Sequence, residues 1–200
     1  MDAVLFIHGK NGSAAEADRF RPLFPDCAVF GLDYHGTTPW EAGREIHTAV
    51  TTLKLRYARV FLIANSIGAF FSLHAELHTL VEKAWFISPV VDMEGLICGM
   101  MAAQGVSEAE LQARGTISTA SGEDLSWDYL DYVRSHPVVW HIPTEVLYGS
   151  DDSLVPFASV AAFAEAGNVR LTVMKDGEHW FHTEEQLAFL DDWIRQSADN

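Results

Sequence analysis

The sequence predicts an α/β protein, a three-layer α/β/α sandwich built on a six-stranded parallel sheet. Six short β-type runs recur along the chain, and most are continuously apolar, as in strands that helices cover on both faces. Helical patterns lie between them, and alternation of strands with helices favours a doubly wound sheet. The six runs are Ala3–His8, Ala28–Leu32, Arg59–Ala64, Lys83–Ser88, Glu145–Tyr148 and Arg170–Lys175.

Several helical patterns open with capping-box spacing, in which a Ser or Thr is followed three residues later by Glu or Gln. Such a pair marks the first turn of a helix, because each side chain can bond a backbone N–H that the helix leaves unpaired. The second pair also has Pro39 at the first helical turn, where its missing N–H costs nothing. The pairs are Ser13 with Glu16, Thr38 with Glu41, Ser107 with Glu110 and Thr183 with Gln186.

Residues 92–140 break the alternation of strands and helices. We expect no strand there, only short helices around Met93–Ala103, Ser107–Arg114 and Leu125–Ser135. The segment could simply shield one end of the sheet, or it could form a cap that closes over a substrate. We therefore predict a single domain, 1–200, with 92–140 as a small helical cap insertion and Ser197–Asn200 as a frayed tail.

Composition restricts the class of partner. The chain has 200 residues with 28 acidic and 13 basic side chains, a formal net charge of −15. Such a field disfavours binding to nucleic acid or to an anionic membrane surface. Cys27 and Cys98 lack metal-site spacing and are expected to be free thiols. With no leader sequence and no membrane-length apolar run, we expect a cytoplasmic protein.

A strand-to-helix junction carries the most informative motif. An apolar run ends in Ala64-Asn65-Ser66-Ile67-Gly68, and a helical pattern begins at once. So abrupt a reversal strains the serine backbone and exposes its hydroxyl at the end of a strand, while small neighbours let strand and helix approach closely. The segment resembles the nucleophile elbow of the α/β-hydrolase family, with Ala64 in place of the usual glycine. Ser66 is the candidate nucleophile.

A reactive serine also needs a base and an acid that orients the base. After the fifth run, the segment from Gly149 to Pro156 matches the family's G-x-x-D-x-x-V-P pattern, and the resemblance assigns the acid to Asp152. Asp151 reads better as a helix-capping residue. Asp92, after the fourth strand, is a third option, because some family members place their acid there.

The base is expected after the sixth run. His179 follows a glycine-bearing loop and precedes the last amphipathic helix, which resembles the final motif of the family. His182 immediately precedes the apparent N-cap Thr183 and is expected to contact that cap or solvent. The resemblance therefore implies a Ser66–His179–Asp152 triad.

Backbone N–H groups are the expected oxyanion donors. Ile67, directly after the serine, should supply one. The other should come from the loop after the first strand, where His8-Gly9-Lys10-Asn11-Gly12 resembles the family's oxyanion loop and points to the Lys10 amide. The glycine spacing in this loop fits neither a Walker loop nor a dinucleotide fingerprint.

The resemblance covers essentially the whole chain outside 92–140. It implies that the two leading antiparallel strands of the family are absent and that the six strands run in the order 2-1-3-4-5-6. It also implies a serine hydrolase, carboxylesterase-like, that cleaves an ester or related acyl bond of a small molecule through an acyl-enzyme intermediate. Thioesterase, peptidase and carbon–carbon bond hydrolase activities use the same triad and stay open.

A different class also stays open: a ligand-binding protein that keeps the scaffold without turnover. We expect no cofactor and no metal. His74 and His78 have helical i, i+4 spacing on the helix expected after Ser66, but no third ligand is evident. The sequence gives no indication of oligomeric state.

Overall fold

The computed structural model describes residues 1–119 and 122–198. Its main sheet has six strands, all parallel, in the order β2-β1-β3-β4-β7-β8. This confirms the predicted architecture and strand order. The strands are β1 Asp2–Ile7, β2 Cys27–Leu32, β3 Val60–Asn65, β4 Ala84–Ile87, β7 Thr144–Gly149 and β8 Val169–Met174, and two further short strands are β5 Thr116–Ser118 and β6 Asp124–Ser126.

The chain divides into two compact units. The first consists of Met1–Val91 together with Trp140–Asn200, and the second is Asp92–Val139. The first unit holds the main sheet. Its helical elements are a 3-10 segment Ala14–Leu23, α1 Pro39–Lys54, α2 Ile67–Leu73, α6 Phe157–Ala166 and α7 Glu184–Ala198. Among the described residues, no helix is both long and apolar enough to cross a membrane.

Both faces of the main sheet are covered, which explains why its central strands are continuously apolar. Val4 and Phe6 pack with the 3-10 segment and α7, whereas Leu5 and Ile7 point to the opposite face because successive side chains alternate along a strand. The core on the face of the sheet that carries Val4 and Phe6 contains Val4, Phe6, Phe20, Leu23, Ile63, Trp85, Ile87, Trp193 and Ile194.

Helix starts follow the predicted capping pairs. The Glu16 carboxylate accepts the backbone N–H of Ser13 at 2.7 Å, and the Thr38 hydroxyl donates to Glu41 at 2.8 Å. The backbone N–H of Gln186 donates to the Thr183 hydroxyl at 3.2 Å, one turn into the start of α7. The bonds at Ser13 and Gln186 satisfy backbone N–H groups that a helix start would otherwise leave unpaired, whereas the Thr38 hydroxyl bonds the Glu41 side chain and caps no backbone N–H.

The second unit contains helices α3 Met93–Gln104, α4 Glu108–Arg114 and α5 Trp127–Ser135, together with the antiparallel hairpin β5–β6. The expectation of no strand here was wrong, and Leu125 belongs to β6 rather than to a helix. Each strand has only three residues and buries one apolar side chain, Ile117 or Leu125. So short an alternation is hard to distinguish from a helical pattern. A role of this unit as a substrate cap stays a prediction.

Two other expectations need correction. Helix α2 ends at Leu73, so His74 and His78 do not share a helix; Glu76 has a φ of 52° in the turn between them. The expected frayed tail Ser197–Asn200 is also wrong at its start, because α7 extends to Ala198 and Ser197 is buried. The remaining residues of that tail, Asp199 and Asn200, lie outside the described residues.

Candidate active site

Ser66 is the single residue between β3 and α2, and its backbone is strained. Its φ of 52° and ψ of −119° lie in a region that residues with a side chain rarely adopt. The surrounding structure holds this conformation: the Ser66 N–H donates to Ile87 O at 3.0 Å, and its carbonyl accepts from Val90 at 3.1 Å. Strain of this kind persists only where neighbours over-determine the backbone.

Small residues beside Ser66 allow close contact with the loop after β1. A Cβ placed on Gly68 would lie 2.4 Å from the carbonyl oxygen of His8, so no side chain fits there without moving the backbone. A Cβ on Gly9 would lie 3.3 Å from the Cβ of Ser66. The loop after β1 is therefore packed directly against the serine and the start of α2.

Three side chains from three strand ends meet in one hydrogen-bonded line. The Ser66 Oγ lies 2.9 Å from His179 Nε2, and His179 Nδ1 lies 2.7 Å from Asp152 Oδ2. The side chains of His179 and Asp152 are only 4% and 0% exposed. Because a carboxylate only accepts, Nδ1 carries the proton, and in the neutral ring Nε2 is then free to accept the Ser66 proton.

The second oxygen of Asp152 fixes the orientation of the carboxylate. Its Oδ1 accepts the backbone N–H groups of Leu154 and Val155, both at 2.9 Å. The buried Tyr148 hydroxyl donates to Val155 O at 2.7 Å, and burial together with the nearby Asp152 charge raises the pKa of Tyr148. Asp152 therefore has both oxygens engaged and presents one of them to His179.

Backbone hydrogen bonds join the loop after β7 to the loop after β8. The Asp151 N–H donates to Gly177 O at 2.8 Å, and the Ser150 N–H donates to Met174 O at 2.9 Å. A Cβ on Gly149 would lie 2.3 Å from Gly177 O, so the two loops are in backbone contact. The acid and the histidine are thus placed by two loops that are hydrogen-bonded to each other.

Asp151 and Asp92, the alternative acids, and His182, the other histidine near the end of β8, have different hydrogen-bond partners. Asp151 is exposed and accepts the Ser150 hydroxyl at 3.1 Å. Asp92 caps α3 by accepting the Gly95 N–H at 2.8 Å. The side chain of His182 is 62% exposed and bonds the Trp180 carbonyl at 2.7 Å. For each of them the structure records these contacts and no hydrogen bond to Ser66.

Of the two residues predicted to supply oxyanion donors, Ile67 follows Ser66 directly in the chain, and Lys10 lies in the turn after β1. Ile67 opens α2, and Lys10 lies in a turn that the Gly12 N–H closes onto Gly9 O at 3.1 Å. Asn11 in this turn has a φ of 60°. Since Gly9 contacts Ser66, the turn that carries Lys10 begins beside the serine. The use of these two amides as oxyanion donors stays a prediction.

Sequence reasoning missed Tyr34, which follows β2. Its hydroxyl donates to His8 O at 3.0 Å, and its ring stacks on the His8 ring at 4.3 Å. Burial, with smaller contributions from the negative charges of Glu16 and Glu45, raises the pKa of Tyr34 to about 12. An aromatic residue after a strand is common, so nothing in the local sequence distinguishes this one.

Gln186 was recognised only as a capping residue, yet it also braces the loop that carries His179. Its side chain is buried; the amide nitrogen donates to Glu178 at 3.2 Å, and the amide oxygen accepts the His182 N–H at 3.1 Å. These partners lie on either side of His179 in the chain. Gln186 therefore ties both ends of the histidine loop to the first turn of α7.

Comparison with solved structures places the chain among proteins of one fold. Est1E from Butyrivibrio proteoclasticus superposes with a TM-score of 0.80 at 14% identity, over 98% of this chain and 86% of that protein. Alpha/beta hydrolase domain-containing protein 10 from mouse gives 0.74 at 19% identity, over 98% and 89%. An alpha-beta serine hydrolase homologue from Coxiella burnetii gives 0.65 at 14% identity, over 98% and 84%.

These identities are low, so the similarity is one of fold. No protein-family model matches the chain, and no match was found among curated proteins. The parallel sheet, the strand-to-helix junction at Ser66 and these neighbours together define the fold class: the chain has the α/β-hydrolase fold.

Proposed function

We propose that this protein is a serine hydrolase that cleaves an ester or related acyl bond through Ser66, His179 and Asp152. One observation carries the proposal: two consecutive hydrogen bonds join the three side chains, from Ser66 Oγ to His179 at 2.9 Å and from His179 to Asp152 at 2.7 Å. A serine hydroxyl is a weak nucleophile unless an adjacent base removes its proton as it attacks. The hydrogen bond between Ser66 and His179 has the geometry for transfer of the serine proton to the imidazole.

In the proposed reaction, the Ser66 oxygen bonds to the substrate carbonyl carbon while its proton passes to His179 Nε2. The resulting imidazolium lies against the ionised Asp152, which stabilises it. His179 then returns the proton to the leaving group as the acyl–leaving-group bond breaks, and the acyl group stays on Ser66. A water molecule then attacks the acyl carbon while His179 takes its proton. His179 returns this proton to Ser66 Oγ as the bond between Ser66 and the acyl group breaks, and the acid is released.

The tetrahedral intermediate of each step has a negatively charged oxygen that needs nearby donors. The backbone amides of Ile67 and Lys10 are the proposed donors, one at the start of α2 and one in the turn after β1. Backbone N–H groups suit this role because they are fixed before the reaction and need no reorganisation during it. The close packing of Gly9 against Ser66 and of Gly68 against the His8 carbonyl supports this placement.

The proposed substrate is a small molecule with an ester, thioester or amide carbonyl, and carbon–carbon bond cleavage by the same catalytic groups is the alternative. The net charge of −15 argues against a nucleic-acid or anionic membrane substrate. The names of two structural neighbours, a serine hydrolase homologue and an alpha/beta hydrolase domain-containing protein, are consistent with hydrolysis. We also propose that the protein needs no cofactor.

A fluorophosphonate probe and a p-nitrophenyl ester test this proposal. The wild-type chain is expected to form one covalent adduct, which mass spectrometry locates on the peptide containing Ser66, and to hydrolyse the ester. Ser66→Ala should abolish the adduct and lower kcat by at least about a thousandfold, as in other serine triads. Ser159→Ala is the control, because the Ser159 hydroxyl bonds the carbonyl of Pro156, the residue before α6. An unlabelled wild type, or a labelled Ser66→Ala, would refute the proposal.

A further inference from the structure

Tyr34 contacts both backbone segments that carry the proposed oxyanion donors. Its hydroxyl bonds the loop after β1 through His8 O at 3.0 Å. Its ring makes an edge contact with Phe71 of α2, the centroids 5.6 Å apart. We propose that Tyr34 is a positioning residue that holds the Lys10 and Ile67 amides at the spacing needed to bind the oxyanion. This inference rests on the proposed hydrolase function.

The hydrogen bond from Tyr34 acts on the peptide unit that leads into the oxyanion turn. The His8 carbonyl belongs to the peptide unit between His8 and Gly9. The Lys10 N–H belongs to the peptide unit that follows it. Because a peptide unit is planar, fixing the direction of this carbonyl also fixes the direction in which the chain enters the turn. The His8 ring adds a second bond, from Nδ1 to Gly9 O at 2.7 Å.

The same carbonyl oxygen also sets the separation of the turn from α2. A Cβ on Gly68 would lie 2.4 Å from His8 O, so this oxygen rests against the Cα of the second residue of the helix. Tyr34 therefore bonds the atom at which the two segments touch, and its ring packs on a residue one turn further along the same helix. Movement of the His8 carbonyl would change the distance between the two proposed donors.

The Tyr34 side chain is suited to a fixed role. Its ring is held between His8 and Phe71, with centroid distances of 4.3 Å and 5.6 Å, so few rotamers remain open to it. Burial raises the pKa of its hydroxyl to about 12, so the hydroxyl keeps its proton and remains a donor throughout the range in which a serine triad operates. Oxyanion donors depend on such preorganisation, and small misplacements reduce the rate.

Tyr34→Phe removes the hydroxyl but keeps the ring, so it separates the hydrogen bond from the packing. We expect kcat for a p-nitrophenyl ester to fall about tenfold, with KM within about twofold of wild type, because the donors act on the transition state rather than on bound substrate. Affinity for a trifluoromethyl ketone, which forms a tetrahedral adduct with the serine, should fall by a similar factor. The backbone amide NMR signals of Lys10 and Ile67 should also shift.

Tyr57→Phe is the matched control, because Tyr57 is another partly buried tyrosine whose ring contact is with Phe30, at 5.7 Å. It should leave all of these quantities unchanged. The inference is overturned if Tyr34→Phe, with thermal unfolding close to wild type, matches Tyr57→Phe in kcat, ketone affinity and amide shifts. A wild type and a control that both lack turnover and labelling would instead overturn the hydrolase proposal, and this inference with it.

Discussion

At the scale of single residues, the backbone of Ser66 is strained independently of any reaction that its hydroxyl performs. Its φ of 52° is imposed by backbone bonds on both sides, to Ile87 O and from Ala69 and Val90. Conformations of this kind cost a residue with a Cβ about 1–3 kcal/mol, whereas glycine adopts them with little strain. The strain can therefore be measured in a protein that has lost the nucleophile.

Ser66→Gly is expected to be more stable than Ser66→Ala by about 1 kcal/mol in the free energy of unfolding, because only alanine keeps the strained Cβ. Urea denaturation of both variants measures the difference. The same pair of substitutions at Ser159, in the first turn of α6, should give the opposite order, since glycine is a poorer helix former than alanine. Equal stability of the two Ser66 variants would show that the junction is not strained.

The choice of Asp152 over Asp151 can be tested at the same scale. Asp152→Asn keeps an oxygen for the Leu154 and Val155 N–H groups but turns an NH2 group toward His179. His179 would then carry its proton on Nε2 and could not accept one from Ser66. By analogy with other triads, kcat should fall by about 10⁴-fold.

Asp151→Asn is the control for that substitution, because the exposed Asp151 carboxylate accepts the Ser150 hydroxyl, whereas His179 bonds Asp152. It should leave kcat within about twofold of wild type, as expected of an exposed charge outside the triad. Steady-state kinetics on a p-nitrophenyl ester measures both variants. An equal fall in kcat in both variants would contradict the assignment of Asp152 alone as the acid.

At the scale of elements, the last turn of α7 is anchored to β4 and the residue before it. The buried indole of Trp85 donates to the Ser197 hydroxyl at 2.8 Å, and this hydroxyl bonds Trp193 O at 2.7 Å within the helix. Lys83 donates to the Ser197 carbonyl and lies 3.4 Å from the buried Glu145. The helix that follows His179 is therefore fixed at its far end by polar contacts as well as by its apolar face.

Ser197→Ala is expected to lower the free energy of unfolding by about 1–3 kcal/mol, because it leaves the Trp85 indole N–H buried without its partner. Chemical denaturation checks the value. Ser135→Ala removes a hydroxyl with the same bond to the carbonyl four residues earlier, at 2.8 Å to Asp131, but at an exposed position. That control should change stability by less than about 0.5 kcal/mol, and an equal effect of both substitutions would contradict the anchoring role.

At the scale of the whole molecule, the elements that could be predicted were those with a recognisable local sequence pattern. Buried parallel strands appear as apolar runs, and helix starts appear as capping pairs, so the strands and the first turns followed from the sequence pattern. The strand order and the triad roles came from the resemblance to the α/β-hydrolase family. Ser66, Asp152 and His179 could be proposed because each follows its own strand, and parallel strands bring their carboxyl ends to one edge. Their hydrogen-bonded distances could not be known from the sequence.

The features that were missed depend on contacts between distant segments or on very short elements. The hydrogen bond from Tyr34 to His8 spans 26 positions, and that from Trp85 to Ser197 spans 112. No periodicity encodes either contact. The β5–β6 hairpin buries one residue per strand, too few to show a period of two. The early end of α2 at Leu73 left His74 and His78 outside the helix that the pattern had suggested.

Net charge is a property of the entire chain, and it acts on any charged substrate before contact. With 28 acidic and 13 basic side chains, the protein carries a formal charge of −15. A field of this sign raises the local concentration of cations and lowers that of anions, and salt screens it over a Debye length of about 30 Å at 0.01 M and about 10 Å at 0.1 M. On the hydrolase proposal, substrate charge should therefore determine how kcat/KM responds to salt.

Three p-nitrophenyl esters of similar length test this: a neutral hexanoate, a 4-(trimethylammonio)butyrate and a hemiglutarate. Between 0.01 M and 0.3 M ionic strength, kcat/KM should fall at least about twofold for the cationic ester and rise by a similar factor for the anionic one, while the neutral ester stays nearly constant. The neutral ester serves as the internal control, because salt effects on the fold or on the triad would change all three in the same direction. Parallel responses of the three esters would mean that the distributed charge does not reach the site.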